Sequence, residues 1–231
     1  MGQRYWLWLG ARLLAGLVLL VWAASYIGSG NGEKEFQKTL EAMKQVKSFR
    51  VAFTSNMGIQ TSEMLWEVDC DRDIVHHQMH VVQTSPTFQE IKQDQLVVSG
   101  REYDRYGDGR WSPSRYATGG TAKNYCGTLA QGADSGVIPQ IGTMIKRGVI
   151  QKGDKKTVNG VRCREWLVTL RGGPARLEHD TVCIGLDDHL PYEVTVDWAH
   201  SHSTFSDYNT PLQFDLPEAT VQPASATTGS N

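Results

Sequence analysis

The stretch Val158–Pro217 constrains the fold more than any other part of the sequence. Asn159-Gly160 is a turn pair, and Val161–Leu170 after it is a run of strand length. Arg171-Gly172-Gly173-Pro174 is a second turn, Leu177–Leu186 a second strand, and Asp187-Asp188-His189 a short polar break. Tyr192–Trp198, Ser203–Tyr208 and Leu212–Leu216 read as further strands before Pro217. Apolar runs of this length, rich in Val, Trp, Thr and Tyr and separated by turn residues, make antiparallel strands.

The same rhythm holds upstream. From Glu33 to Lys47 the apolar residues Phe36, Leu40, Met43 and Val46 fall on one face of a helix. The period then drops to two. Phe49, Val51 and Phe53 alternate with Arg50, Ala52 and Thr54; Met64, Trp66, Val68 and Cys70 alternate with Leu65, Glu67 and Asp69. Asp71-Arg72-Asp73 turns the chain, Ile74–Val82 is the next strand, and Ser85-Pro86 ends it. Phe88–Ile91, Leu96–Val98 and Glu102–Tyr106 read as three short strands, the last followed by the turn Gly107-Asp108-Gly109. Residues 112–148 break the pattern. Ser112–Gly120 is loop-like, Tyr125–Leu129 has room for one or two helical turns, and Pro139–Arg147 reads as a short helix with Pro139 in its first position. Strands return at Val149. This order predicts an α+β, mainly β, domain over residues 33–217. Its antiparallel sheet twists, curls and half-closes around helices packed on one face.

The ends differ from this domain. Trp6–Ile27 is almost continuously apolar, interrupted by Arg12, and counted from Tyr5 it is long enough to span a bilayer. Arg4 and Arg12 precede the run Leu13–Ile27, and no basic residue follows until Lys34, so the positive-inside rule exports the remainder. Residues 1–28 read either as a signal peptide, with Val21-Trp22-Ala23 as the cleavage signal, or as a retained inner-membrane helix over residues 5–28. Gly28–Gly32 is a flexible joint. Residues 218–231 read as a disordered tail.

The formal charge of −2 and the lack of a basic patch exclude the electrostatic basis of nucleic-acid binding. All four cysteines, Cys70, Cys126, Cys163 and Cys183, fall in the exported part, where an even number favours disulfides. Three pairings exist. Cys163–Cys183 with Cys70–Cys126 is preferred, because the first pair joins neighbouring strands. None of the four has the C-x-x-C spacing of a zinc site. His76, His77 and His80 lie in a strand, which puts His76 and His80 on one face and His77 on the other, as solvated side chains. His200 and His202 share a strand face in the same way. No G-x-S-x-G elbow, Walker loop, G-x-G-x-x-G or H-E-x-x-H motif is present. The adjacent Asp187 and Asp188 point to opposite sides of a strand, a poor geometry for shared acid–base work. The sequence therefore predicts no enzyme, no cofactor and no metal.

Several of these segments carry a likeness. "VKSFRVAF", "GREYDRYGDGRW", "VNGVRCREWLV", "DTVCIGLDDHLPYEVTV" and "TFSDYNTPLQFDLP", following the amphipathic helix, resemble the LolA-like superfamily across most of Glu33–Pro217. That superfamily includes periplasmic lipoprotein carriers and outer-membrane lipoprotein receptors. The resemblance implies a half-open antiparallel β-barrel, helices over its concave side and an apolar cavity for acyl chains. It carries over no catalytic residue. It implies an exported binding protein, periplasmic or otherwise extracytoplasmic, for a lipid or an acylated lipoprotein. The alternative is a membrane-anchored envelope sensor or protein-interaction module that uses the scaffold without a lipid. Trp66, Val68, Trp166, Val168, Val194 and Val196 are the candidate cavity residues, with the concave face left open by the sequence.

Overall fold

The computed structural model describes residues 32–84, 87–114, 121, 122, 125, 126, 141–170, 179–197 and 199–217. The apolar segment 1–28, the tail 218–231, the turn Arg171–Pro174 and most of the insertion read as Ser112–Gly120, Tyr125–Leu129 and Pro139–Arg147 lie outside the described residues.

Residues 32–43 form helix α1, the amphipathic stretch expected there. The strands follow: β1 (Ser48–Asn56), β2 (Gln60–Asp69), β3 (Ile74–Gln83), β4 (Gln89–Val98), β5 (Arg101–Tyr106) and β6 (Ser112–Pro113). Helix α2 (Ile141–Arg147) leads into β7 (Gly148–Val158), β8 (Val161–Leu170), β9 (His179–Gly185), β10 (Pro191–Val196) and β11 (Ser201–Ser206). All pairings are antiparallel, in the order β6-β5-β4-β3-β2-β1-β11-β10-β9-β8-β7. The last strand thus closes on the first, Val51 opposite Phe205, and fuses two meanders into one 11-stranded sheet. The sheet is open, with β6 and β7 as its edges.

One face, the inner face, carries the core. Phe49, Val68, Val75 and Val97 lie opposite one another on β1 to β4. They form one cluster with Phe36 and Met43 of α1, Ile141 and Met144 of α2, and Trp166, Val182, Val194 and Phe205. Gly32 opens α1 against β7: a Cβ there would lie 2.6 Å from Ile150 Cγ2, so only glycine permits this approach. The outer face holds a smaller cluster of Ile74, Leu96 and Tyr103, against which Phe214 and Leu216 pack.

Both preferred disulfides form. Cys70–Cys126 ties the end of β2 to a helical turn in the insertion, where the Tyr125 amide donates to Thr121 O. Cys163–Cys183 joins β8 and β9, with Cα atoms 5.5 Å apart.

Three readings of the chain are corrected. Phe88–Ile91 and Leu96–Val98 belong to one strand, β4, which runs through the polar Lys92-Gln93-Asp94-Gln95 because β3 and β5 bond it from both sides. Leu212–Leu216 is not a strand; it crosses the outer face as irregular backbone and pins its apolar side chains there. The sequence marks β7 only by Val149, yet it runs to Val158 as an edge strand. Its Lys152, Lys155 and Lys156, with a register shift between Lys152 and Lys155, suit an edge that must not pair further.

Candidate functional site

The candidate site is the inner face, and register decides what reaches it, because residues directly opposite in a sheet share a face. One row runs Phe205, Val51, Trp66, His77. Its neighbour runs Trp166, Val182, Val194, Ser203, Phe53, Met64, Met79, Gln93, Tyr106. Val168 stands opposite Ile150.

All six candidate residues lie with this cluster. Val68, Trp166, Val168 and Val194 are buried in the core, while Trp66 and Val196 pack at its margin, half-buried. Trp166 meets Phe36 of α1 edge-to-face, with ring centroids 6.3 Å apart. These positions are filled by helix and strand side chains.

The second row thins along its length. Trp166, Val182 and Val194 are buried, Phe53, Met64 and Met79 are half-buried, and Tyr106 is exposed. The apolar face therefore continues out of the packed core across β1, β2 and β3. The sequence reading named none of these residues as a site. Phe53 and Met64 carry ordinary strand alternation, and the sequence does not show that they lie outside the packed core cluster.

A polar spot interrupts the first row. His77 stacks on Trp66, centroids 3.8 Å apart and planes 18° from parallel. Tyr125 also leans on Trp66, with ring centroids 5.3 Å apart and planes tilted by 50°. Burial holds the His77 imidazole down to about 4, with the neighbouring His76 adding and Asp94 opposing, so the ring is neutral at pH 7. Burial, with a smaller contribution from Glu102, raises the Tyr125 phenol. A neutral stacked imidazole extends the aromatic surface rather than charging it.

His76 and His202 serve the outer face and are not merely solvated. His76 Nδ1 lies 2.9 Å from Glu67, which also accepts from Arg50. The His76 hydrogen bond holds the Glu67 carboxyl below its usual range; burial opposes it and Arg50 reinforces it. His202 Nε2 lies 2.8 Å from Glu193, which Lys156 also engages. His200 sits in the β10–β11 turn instead of sharing a strand face with His202. Among the described residues no group of three or more His, Cys, Asp or Glu is placed to hold a metal ion. A groove of about 550 Å³ crosses β1 to β4; its lining includes Phe53, Met64, Met79 and Gln93 of the second row together with His80, Lys92 and Asp94 from the alternate strand positions.

This geometry has counterparts among solved structures. LprF from Mycobacterium bovis superposes with a TM-score of 0.58 at 12% identity, over 82% of this chain and 98% of that one. The LolA superfamily protein NE2245 from Nitrosomonas europaea covers 83% of this chain and 97% of its own, at 12% identity and a TM-score of 0.28. The fold is LolA-like. MucB is also similar, with a TM-score of 0.43 at 16% identity, over 86% of this chain and 64% of that one. No family model matches the chain. No curated protein matches it by sequence.

Proposed function

We propose that this protein is an exported, non-enzymatic binding protein that holds a lipid or lipoprotein acyl chain against the inner face of its sheet. The observation that carries this reading is the row that leaves the core half-buried at Phe53, Met64 and Met79. Unbranched methionines present a polarisable, adaptable surface that suits an acyl chain of variable length. The sheet wraps as a half-barrel, with α1 over part of its concave side. A chain end lies along Phe53, Met64 and Met79 and reaches Trp66 and Val196. Val68, Trp166, Val168 and Val194 line the deeper wall, reached when α1 yields. The two disulfides and the LolA-like fold fit an extracytoplasmic location, reached by a signal peptide or a retained inner-membrane anchor.

Titration with a fluorescent fatty-acyl probe tests this. Met79→Asp places a charge in the row without entering the core. It should weaken probe binding about tenfold or more, since burying an apolar side chain or chain segment is worth about 1.5–3 kcal/mol, while the thermal midpoint stays near wild type. Unchanged binding would sink the reading. The second reading, an envelope protein-interaction module, is favoured by the charged side chains His80, Lys92 and Asp94 that line the same groove as Phe53, Met64 and Met79. A partner whose capture is lost on Lys92→Glu but not on Met79→Asp would support it.

A further inference from the structure

Among the described residues five large apolar side chains are exposed: Met57, Ile59, Phe88, Ile91 and Tyr106. All five fall at one edge of the sheet, where β1 ends, β2 starts, β3 ends, β4 starts and β5 ends. Met57 and Ile59 form the tip of the β1–β2 hairpin, and Phe88 and Ile91 flank the start of β4 after the β3–β4 turn. The two tips are tied, because the Thr84 amide donates to Ile59 O at 2.9 Å. Soluble surfaces carry single apolar residues at random; five gathered at one rim mark a contact.

The same edge is where the chain enters the domain. Gly32 packs on Ile150, near the start of β7, and β7 starts at the edge where β1 ends, because β1, β11, β10, β9, β8 and β7 alternate in direction. Helix α1 then runs about 18 Å, at 1.5 Å per residue, to deliver β1 to the opposite edge. The apolar run Leu13–Ile27 ends five residues before Gly32, a reach of about 17 Å when extended. A bilayer holding that run would lie within about 17 Å of Gly32.

We infer that the edge formed by the β1–β2 and β3–β4 tips is a membrane-docking surface, with Met57, Ile59, Phe88 and Ile91 dipping into the lipid interface. The occupant is a bilayer because the exposed side chains are apolar, the anchor segment enters at the same edge, and Lys92 beside Ile91 is paired with Glu90 at 2.8 Å. The contact is therefore driven by apolar burial and is insensitive to salt. It also fixes the orientation of the domain, standing its strands on the lipid surface. The inference rests on the retained-anchor reading of residues 5–28 and not on the acyl-chain reading, so the two can fail separately.

The test uses the full chain reconstituted in phosphatidylcholine vesicles that carry nitroxide-labelled lipids. Bimane is attached at Ile59→Cys, at Phe88→Cys and, as a control at the opposite edge, at the exposed Arg101→Cys, under non-reducing conditions that keep both disulfides. Loss of bimane emission at positions 59 and 88, none at 101, and no change on adding salt is the expected result. Equal quenching at all three positions, quenching at 101 alone, or none at 59 and 88 would overturn it. A doubled mass with labels at 59 and 88 shielded but unquenched would make the edge an interface between two copies and equally overturn it.

Discussion

Helix α1 is either part of the core or a detachable cover, and Phe36→Ala separates these. Phe36 is fully buried and meets Trp166 edge-to-face at 6.3 Å with planes 88° apart. Truncating a buried Phe to Ala costs about 3–5 kcal/mol, the lost transfer energy plus the cavity left behind. About 0.5–1.5 kcal/mol of this belongs to the aromatic pair. A domain of this kind has roughly 5–15 kcal/mol in total, so the change removes a large share. With a urea slope of about 2 kcal/mol/M, the unfolding midpoint should fall by about 2 M, followed by tryptophan fluorescence on the oxidised protein. Lys38→Ala, on the exposed side of the same helix, should move stability by no more than about 0.5 kcal/mol. Combining Phe36→Ala with Trp166→Leu should give a coupling energy of the aromatic-pair size. A loss below about 1 kcal/mol for Phe36→Ala would refute the reasoning and show that the sheet stands without α1.

Three further outcomes are expected. Replacing both Cys70 and Cys126 by Ala should cost about 4 kcal/mol, and replacing Cys163 and Cys183 about 3 kcal/mol, because the chain-entropy cost rises with separations of 56 and 20 residues; chemical denaturation of each variant checks the ranking. His77 is held below its unfolded value, so the unfolded chain binds more protons and stability is full above about pH 6.5 and lost as pH falls toward about 4. His77→Phe keeps the stack on Trp66 and should flatten the dependence of stability on pH across that window. Arg50→Met removes one partner of the nearly buried Glu67 and should cost about 1–3 kcal/mol, read in the same urea assay.

Hairpins were legible wherever turn chemistry was local. Asn159-Gly160 fixed the boundary of β8, and Gly160, with φ of 82°, supplies the conformation that turn requires. The sequence splits strand β4 because Lys92–Gln95 is polar like a loop, and only its two neighbours explain why it stays extended. Strand β7 was largely missed since an edge strand has little need of an apolar alternation. Leu212–Leu216 carried strand-like residues but lies against side chains on the outer face, a long-range fact. The choice of inner face was illegible for the same reason: Val75 and Val97 point one way and Ile74 and Leu96 the other, and both sides are apolar. The six candidate residues follow from the alternation of large apolar residues alone. The row through Phe53, Met64 and Met79 was not, because it exists only once β1, β2 and β3 are in register.

The acyl-chain account rests on what the inner face holds. Native mass spectrometry of the exported, oxidised protein, gently extracted with its lipids, followed by identification of any apolar molecule released, tests it most directly. The account predicts one lipid or acylated peptide per chain in the wild type and its loss in Met64→Asp and Met79→Asp, with the folded charge-state distribution retained. A wild-type protein that is folded, empty and indifferent to added lipid would contradict it.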